Sequence, residues 1–203
     1  MGIVGGTFDP VHLGHIGMAE AARACAGLDL VLLLPASSPP HRAPPQAPAP
    51  DRLVMCRLAT DHLPWLEVSD LELRRRGASY TVDTLRQLRD GRPADELYLV
   101  LGWDAARELG HWREPGEIQR LAGLVVVTRP GLPVPAEGDL KAAGIQPGHA
   151  RVCDVPTPSV VGTEVRRLIA TGAPLDGVLD PAVAAYIRSR GLYRAGGDNA
   201  PVG

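Results

Sequence analysis

Short apolar runs closed by turn residues recur along the chain: Ile3–Val4, Leu30–Leu34, Leu97–Leu101, Leu124–Thr128 and Val152–Val155. Continuous runs of this length fit strands buried on both faces, as in a parallel sheet. Between them, apolar positions recur at helical spacing over Leu13–Ala26, Asp51–His62, Thr81–Arg89, Pro115–Leu121, Thr163–Thr171 and Pro181–Arg190. Asp51 and Asp180 read as N-caps, and Pro181 suits the first position of the last helix. Strands alternating with helices predict an α/β fold, an open parallel sheet with helices on both faces.

Two stretches break the alternation. Ala36–Pro50, "ASSPPHRAPPQAPAP", is Pro-rich and reads as a loop. Gly131–His149 is a second connection punctuated by Pro and Gly. The last residues, 195–203, read as a disordered tail, which leaves 1–194 as one domain. A chain of 203 residues can bury one sizeable core but not two comfortable ones.

Composition narrows the class of partner. Hydrophobic residues are 45%, charged residues 22% and the net charge is −2, so no polyanion such as nucleic acid is expected to bind. Cys25, Cys56 and Cys153 are scattered, odd in number and without a CxxC pair. That spacing argues against a disulfide framework or zinc cluster and for a reducing compartment. No apolar run is long enough to span a membrane, and no signal-peptide pattern opens the chain, so a cytoplasmic location is expected. Oligomeric state is not readable; a homo-oligomer is allowed.

The candidate chemistry lies in "GIVGGTFDPVHLGHIGMAEAA", Gly2–Ala22. Gly5 and Gly6 fall in the turn between the first strand and first helix. Glycine there lets backbone N–H groups approach a ligand, and the helix N-terminus favours anions. In a parallel sheet this turn lies at the carboxyl end of its strand, where open α/β folds bind ligands. The spacing matches neither GxGxxG nor GxxxxGK[ST]. His12 and His15, three apart at the helix start, can share one side. As imidazolium or as neutral N–H donors they would stabilise charge on a phosphate in transfer. Two alternatives stay open: local capping, or a metal pair, although HxxH lacks a neighbouring acidic or cysteine ligand.

"GGTFDPVHLGH" resembles the GxFDPxHxGH signature of nucleotidyltransferases that move AMP or CMP from a nucleoside triphosphate. Later segments resemble bacterial nicotinate-mononucleotide adenylyltransferases in order along the chain: "SPPHR" from Ser38, "RLVMCRLA" from Arg52, "ELRRRGASYTVDTLRQL" from Glu72, "LGWDAARELGHW" from Leu101, "VVVTRPG" from Val125, "TEVRRLIATG" from Thr163 and "LDPAVAAYIRSRGLY" from Leu179. The resemblance implies a Rossmann-like nucleotidyltransferase fold and adenylyl transfer from ATP to nicotinate mononucleotide. It implies that Gly5, Gly6, Thr7 and Phe8, with His12 and His15, hold the triphosphate, and that Gly102, Asp104, Thr163 and Arg166 complete the ATP site. It places His41, Arg42, Thr81, Asp83, Thr84 and Trp112 on the mononucleotide. His12, His15, Arg42 and Arg166 are the residues it makes catalytic.

Each of these also has a plainer reading. Backbone N–H groups near Thr81, Asp83 and Thr84 would suit a nicotinate carboxylate, yet Thr81 could simply be an N-cap. Trp112 could stack on a pyridine ring or belong to the core. Asp104 could hold a ribose hydroxyl or cap the following helix. Arg42 and Arg166 could clamp phosphate in bidentate fashion, whereas Arg74, Arg75 and Arg76 read as solvated surface.

One segment departs from the family. Where ISSTxxR is usual, this chain has "VVGTEVR", with Val161 and Gly162 in the positions of two serines. Valine offers no hydroxyl and glycine only backbone, so reduced ATP affinity is expected. The mononucleotide phosphate is already anionic, so in-line attack on the α-phosphorus needs no general base. Mg²⁺ would bind mainly through ATP phosphates, since no dedicated carboxylate cage for metal is evident. Alternatives are an adenylyltransferase for another nucleotide or phosphopantetheine, and a catalytically weak nucleotide-binding module.

Overall fold

A computed structural model of the chain describes residues 1–37, 44–75, 77–128 and 133–194. The apolar runs become strands β1 (Gly2–Gly6), β2 (Val31–Pro35), β4 (Tyr98–Gly102), β5 (Gly123–Val127) and β6 (Ala150–Cys153), joined by the short β3 (Leu66–Val68). All pair in parallel, in the order β3-β2-β1-β4-β5-β6. Alternate side chains of each strand feed two cores. Val4, Leu33, Val100 and Val125 face one; Ile3, Leu32, Leu34, Leu99 and Val126 face the other. Burial on both faces is why these strands read as unbroken apolar runs.

The helices are α1 (Leu13–Ala26), α2 (Ala49–Thr60), α3 (Thr81–Gly91), α4 (Trp103–Ala106), α5 (Pro115–Leu121), α6 (Glu137–Ala142), α7 (Gly162–Thr171) and α8 (Pro181–Arg190), with a 3-10 turn at Leu109–His111. Ala19 and Ala22 of α1, Met55 and Cys56 of α2, Val165 of α7 and Val183 and Ile187 of α8 fill the first core. Val82 and Leu85 of α3 and Ile118 of α5 fill the second. Helices thus cover both faces of the sheet.

The strand order positions the site. From β1 the chain moves outward through β2 and β3, then returns to β4 on the other side. Pairing of β1 with β2 runs to Gly6↔Pro35, but its pairing with β4 ends at Ile3↔Leu99. The two central strands therefore splay towards their carboxyl ends. That opens a crevice at the point where strand order reverses, the position at which open α/β sheets bind ligands.

Several sequence expectations need correction. Asp51 is not an N-cap: α2 begins at Ala49 behind Pro48. Asp51 is buried in the first turn, where its Oδ1 accepts the Tyr186 hydroxyl at 2.7 Å and Arg190 Nε at 3.2 Å. A tertiary tie between α2 and α8 has displaced a local cap. Thr81 is likewise the first helical residue, with Tyr80 in the cap position. Asp180 does cap α8, accepting the Ala182 N–H at 2.8 Å. The connection 131–149 contains α6, none of whose residues is buried, so it has no apolar stripe to announce it.

The expectation drawn from cysteine count is also overturned: Cys25 and Cys153 form a disulfide. They are 128 positions apart, but α1 crosses β6 and brings their Cα atoms to 5.9 Å, within the usual bridging range. The inference of a reducing compartment loses its basis. Cys56 is free and buried, and burial pushes its thiol pKa well up, so it is inert packing. No helix among the described residues is long and apolar enough to cross a membrane. The tail expectation, 195–203, lies outside the described residues.

Candidate active site

β1 delivers the chain into a tight loop, Thr7–Val11, ahead of α1. Phe8 sits in the left-handed region at φ 48° and is 1% exposed. Its ring folds back beneath Gly6, where a Cβ would lie 3.0 Å from the ring carbons. The edge of the same ring meets His15, centroids 4.9 Å apart. Phe8 is therefore a prop under the loop, and only its backbone can face a ligand.

His12 occupies the N-cap position of α1 and is buried. Its ring stacks on that of His15, centroids 3.7 Å apart and 22° from parallel. The His12 backbone N–H donates to His15 Nδ1 at 3.2 Å. An Nδ1 that accepts carries no proton, so the neutral His15 ring holds its hydrogen on Nε2.

The rings line a small cleft. Gly14 and Met18 of α1 form one wall, Gly102 and Thr128 at the ends of β4 and β5 the floor, and Thr157, Pro158 and Val160 the other wall. Two helical glycines let that wall close in. A Cβ on Gly14 would sit 3.0 Å from the Val160 carbonyl, and one on Gly17 only 2.4 Å from Pro158 Cδ. Thr128 donates its hydroxyl to Asp154 at 2.8 Å, tying the floor to the segment that becomes the wall. Gly102 thus lines this cleft. Exposed Asp104 folds back beside it, its Oδ1 2.6 Å from where a Gly102 Cβ would stand.

α7 aims its first turn at the histidines. A Cβ on Gly162 would lie 3.9 Å from His12 Nε2 and 3.6 Å from Arg166 Nη1, ordinary contact distances. Thr163 is exposed beside it. One turn on, Arg166 donates from Nη1 to the Asp9 carbonyl at 2.7 Å. The His12–His15 pair and the turn from Gly162 to Arg166, far apart in sequence, therefore meet around one mouth.

The mononucleotide candidates form a second group. Thr81 is half-buried at the start of α3, which has no side-chain cap. Asp83 faces Arg86 at 3.5 Å and Arg113 at 3.9 Å, and the Arg113 guanidinium lies 4.7 Å over the Tyr80 ring. This joins the α3 start to the residue after Trp112, which is itself half-buried against the second core. Thr84 is 2% exposed, and its hydroxyl donates to Glu72 at 2.7 Å, so it braces the helix from inside. His41 and Arg42 lie outside the described residues. The flanks of their segment are anchored: Ser37 N–H donates to Ser79 Oγ at 3.0 Å, and Gln46 and Ala47 N–H groups donate to the Asp9 carboxylate at 2.8 and 2.9 Å.

Four supporting residues were not singled out in the sequence. Asp9 stands inside the signature, where no role was assigned to it. Arg52 is 1% exposed and donates to the Thr7 carbonyl at 2.6 Å and the Ala47 carbonyl at 3.3 Å. Glu72 is buried, and desolvation raises its pKa against the pull of the Thr84 and Ser79 hydroxyls and Arg75. Arg75, read as solvated surface, instead donates to Thr84 at 3.2 Å and Gln87 at 3.1 Å. Arg74 is solvated as expected, and Arg76 lies outside the described residues.

The imidazoles of His12 and His15 line a cleft at the carboxyl end of a splayed parallel sheet, with the α7 turn that bears Arg166 beside them. Residues 3–168 match the family model described as cytidylyltransferase-like. The chain therefore belongs to the cytidylyltransferase-like nucleotidyltransferases, and within them to the family of the bacterial nicotinate-nucleotide adenylyltransferases. It is 42% identical over 201 residues to a Roseiflexus sp. (strain RS-1) protein named "Probable nicotinate-nucleotide adenylyltransferase", covering 96% of this chain and 98% of that one. A protein of the same name from Thermus thermophilus is 41% identical, over 96% of this chain and 99% of its own length. Among solved structures, nicotinic acid mononucleotide adenylyltransferase of Plasmodium falciparum, complexed with NaAD, superposes with a TM-score of 0.77 at 16% identity. That match covers 95% of this chain and 96% of the other and speaks for the fold.

Proposed function

We propose that the chain transfers the adenylyl group of ATP to nicotinate mononucleotide, giving nicotinate adenine dinucleotide and pyrophosphate. The observation that carries this reading is the meeting of His12, His15 and the α7 turn bearing Arg166 at the splayed ends of β1 and β4. ATP would lie with its triphosphate on the backbone of Gly5, Gly6, Thr7 and Phe8, its ribose near Gly102 and Asp104, and Thr163 beside the phosphates. His15 donates from Nε2 to the phosphate that gains charge in the transition state, with His12 stacked against it. Arg166 holds the departing β,γ-phosphates, and Arg42 is assigned the same task. Catalysis is then positioning and charge stabilisation.

The mononucleotide would take its carboxylate to the first-turn N–H groups of α3, at Thr81 and Asp83, and its ring to Trp112. His41 and Arg42 are assigned to its phosphate. Thr84 serves by holding α3 against Glu72. Among the described residues no group of three or more His, Cys, Asp or Glu is placed to hold a metal ion. Cationic and N–H donors fit phosphate rather than a cation, so Mg²⁺ would arrive mainly with ATP and would supply neutralising charge there. We assign the work to residues 1–194 as one domain, because α8 packs on α2 in the same core as α1. The cytoplasm, where ATP is abundant, is the proposed compartment, and the Cys25–Cys153 disulfide is then an exception to the reduced state usual for thiols there.

Pyrophosphate release from ATP tests this reading. Release is expected only with the mononucleotide present, and faster with nicotinate than nicotinamide mononucleotide. Preference for the amide would reassign the α3 subsite. ATP binding without turnover would make the chain a binding module.

A further inference from the structure

Tyr193 lies three residues beyond α8 and is 6% exposed. Its backbone adopts φ 61°, in the left-handed region, which a tyrosine keeps only where its surroundings hold it. The turned backbone sends the phenol to the first loop, where its hydroxyl donates to Asp9 Oδ1 at 2.8 Å. The same carboxylate accepts the Gln46 and Ala47 N–H groups, and the Asp9 carbonyl accepts Arg166 Nη1 at 2.7 Å. Arg166 Nη1 also stands 3.9 Å from Asp9 Oδ2. One residue of the signature thus gathers four donors: two from the segment after β2, one from α7 and one from the end of the chain's fold. Burial and the neighbouring Asp9 carboxylate push the Tyr193 hydroxyl far above its ordinary pKa, so it stays a donor at working pH.

We infer that Tyr193 is a positioning residue of the phosphate site, fixing Asp9 through its hydroxyl so that the Asp9 carbonyl can set the Arg166 guanidinium. This rests on the reading that Arg166 binds the leaving phosphates. The carboxylate alone, held by two main-chain N–H groups, could tilt; a third donor from a separate element removes that freedom. The latch makes the geometry of the ATP mouth depend on a residue 184 positions away from Asp9.

A double-mutant cycle tests it. Tyr193→Phe keeps the buried ring and deletes one hydroxyl. It is expected to lower kcat/KM for ATP roughly tenfold while leaving KM for nicotinate mononucleotide unchanged. In an Arg166→Ala background the same change should cost no more than about twofold, because the route to activity is already cut. A purely structural role would move both Michaelis constants, and its loss would multiply with that of Arg166→Ala; either result overturns the inference, as does an unimpaired Tyr193→Phe enzyme. If Arg166→Ala alone keeps wild-type kcat/KM for ATP, the reading of the phosphate site fails first, and the inference with it. All four forms are assayed below their melting onset. Calorimetric titration with a non-hydrolysable ATP analogue in the cold reads the same non-additivity should Tyr193→Phe melt early.

Discussion

The main chain of His12 donates to Nδ1 of His15 while the two imidazoles lie stacked, so the start of α1 fixes the tautomer of its own histidine. A backbone N–H here does what a neighbouring side chain often does for a working imidazole. Replacing His15 by alanine removes the Nε2–H donor and this capping bond together. Turnover is expected to fall by about 100- to 1,000-fold, while unfolding free energy changes by only about 1 kcal/mol. Steady-state rates beside a denaturant titration check both, and an active variant would remove His15 from the chemistry.

Gly17 carries no ligand, yet the cleft depends on it. An added methyl would stand 2.4 Å from Pro158 Cδ, so Gly17→Ala must push the 157–160 wall outward. The expected loss is about 1–3 kcal/mol of stability, with a raised KM for ATP. A thermal melt and ATP kinetics measure it.

The two missing serines can be restored separately. At Gly162 a Cβ meets nothing closer than 3.6 Å, so Gly162→Ser should fit and lower KM for ATP, by up to roughly tenfold if the hydroxyl reaches phosphate. Val161 is 47% exposed in the α7 cap position without a side-chain cap bond. Val161→Ser should therefore stabilise the protein by about 1 kcal/mol. An unchanged Michaelis constant in the double variant would show that backbone N–H groups already meet the need.

Glu72 gives stability a pH dependence. Burial raises its pKa above the ordinary 4.5, so the folded protein binds this proton more tightly than the unfolded chain does. The associated stability is present below 4.5 and drains away as pH rises through the raised folded value. Glu72→Gln has no such proton. The melting temperature of the wild type should decline relative to that variant from about pH 4.5 towards neutrality; parallel curves would mean that Glu72 titrates normally.

The disulfide closes a separation of 128 residues. Cys25→Ser should lower unfolding free energy by about 2–4 kcal/mol. Alkylation in denaturant should label Cys56 alone before reduction and all three cysteines after it. Three labelled thiols at the outset would show the bond unformed.

Local signals made α1, α5 and α8 legible to their end residues, because Pro115, Pro181 and Asp180 mark starts and Gly27 and Gly191 mark stops. β3 escaped notice: three residues with exposed Glu67 at the centre make no apolar run. The histidines and Arg166 stood in readable motifs. What holds them did not. Arg52 meets Thr7 across 45 positions, Arg166 meets Asp9 across 157 and Tyr193 meets it across 184. No periodicity encodes such pairings, and Asp51 shows the converse, a local cap signal spent on the distant Tyr186. Gly14 and Gly17 looked like ordinary helix positions because what they make room for, Pro158 and Val160, arrives from beyond β6.

One mouth, between α1 and α7, is assigned the grip on the polyphosphate, and a crystal structure with a non-hydrolysable ATP analogue measures that directly. The β- and γ-phosphate oxygens are expected within hydrogen-bond distance of His15 Nε2 and the Arg166 guanidinium, with the ribose over Gly102. Phosphates seated away from both side chains, the imidazole pair still stacked and facing solvent, would contradict it.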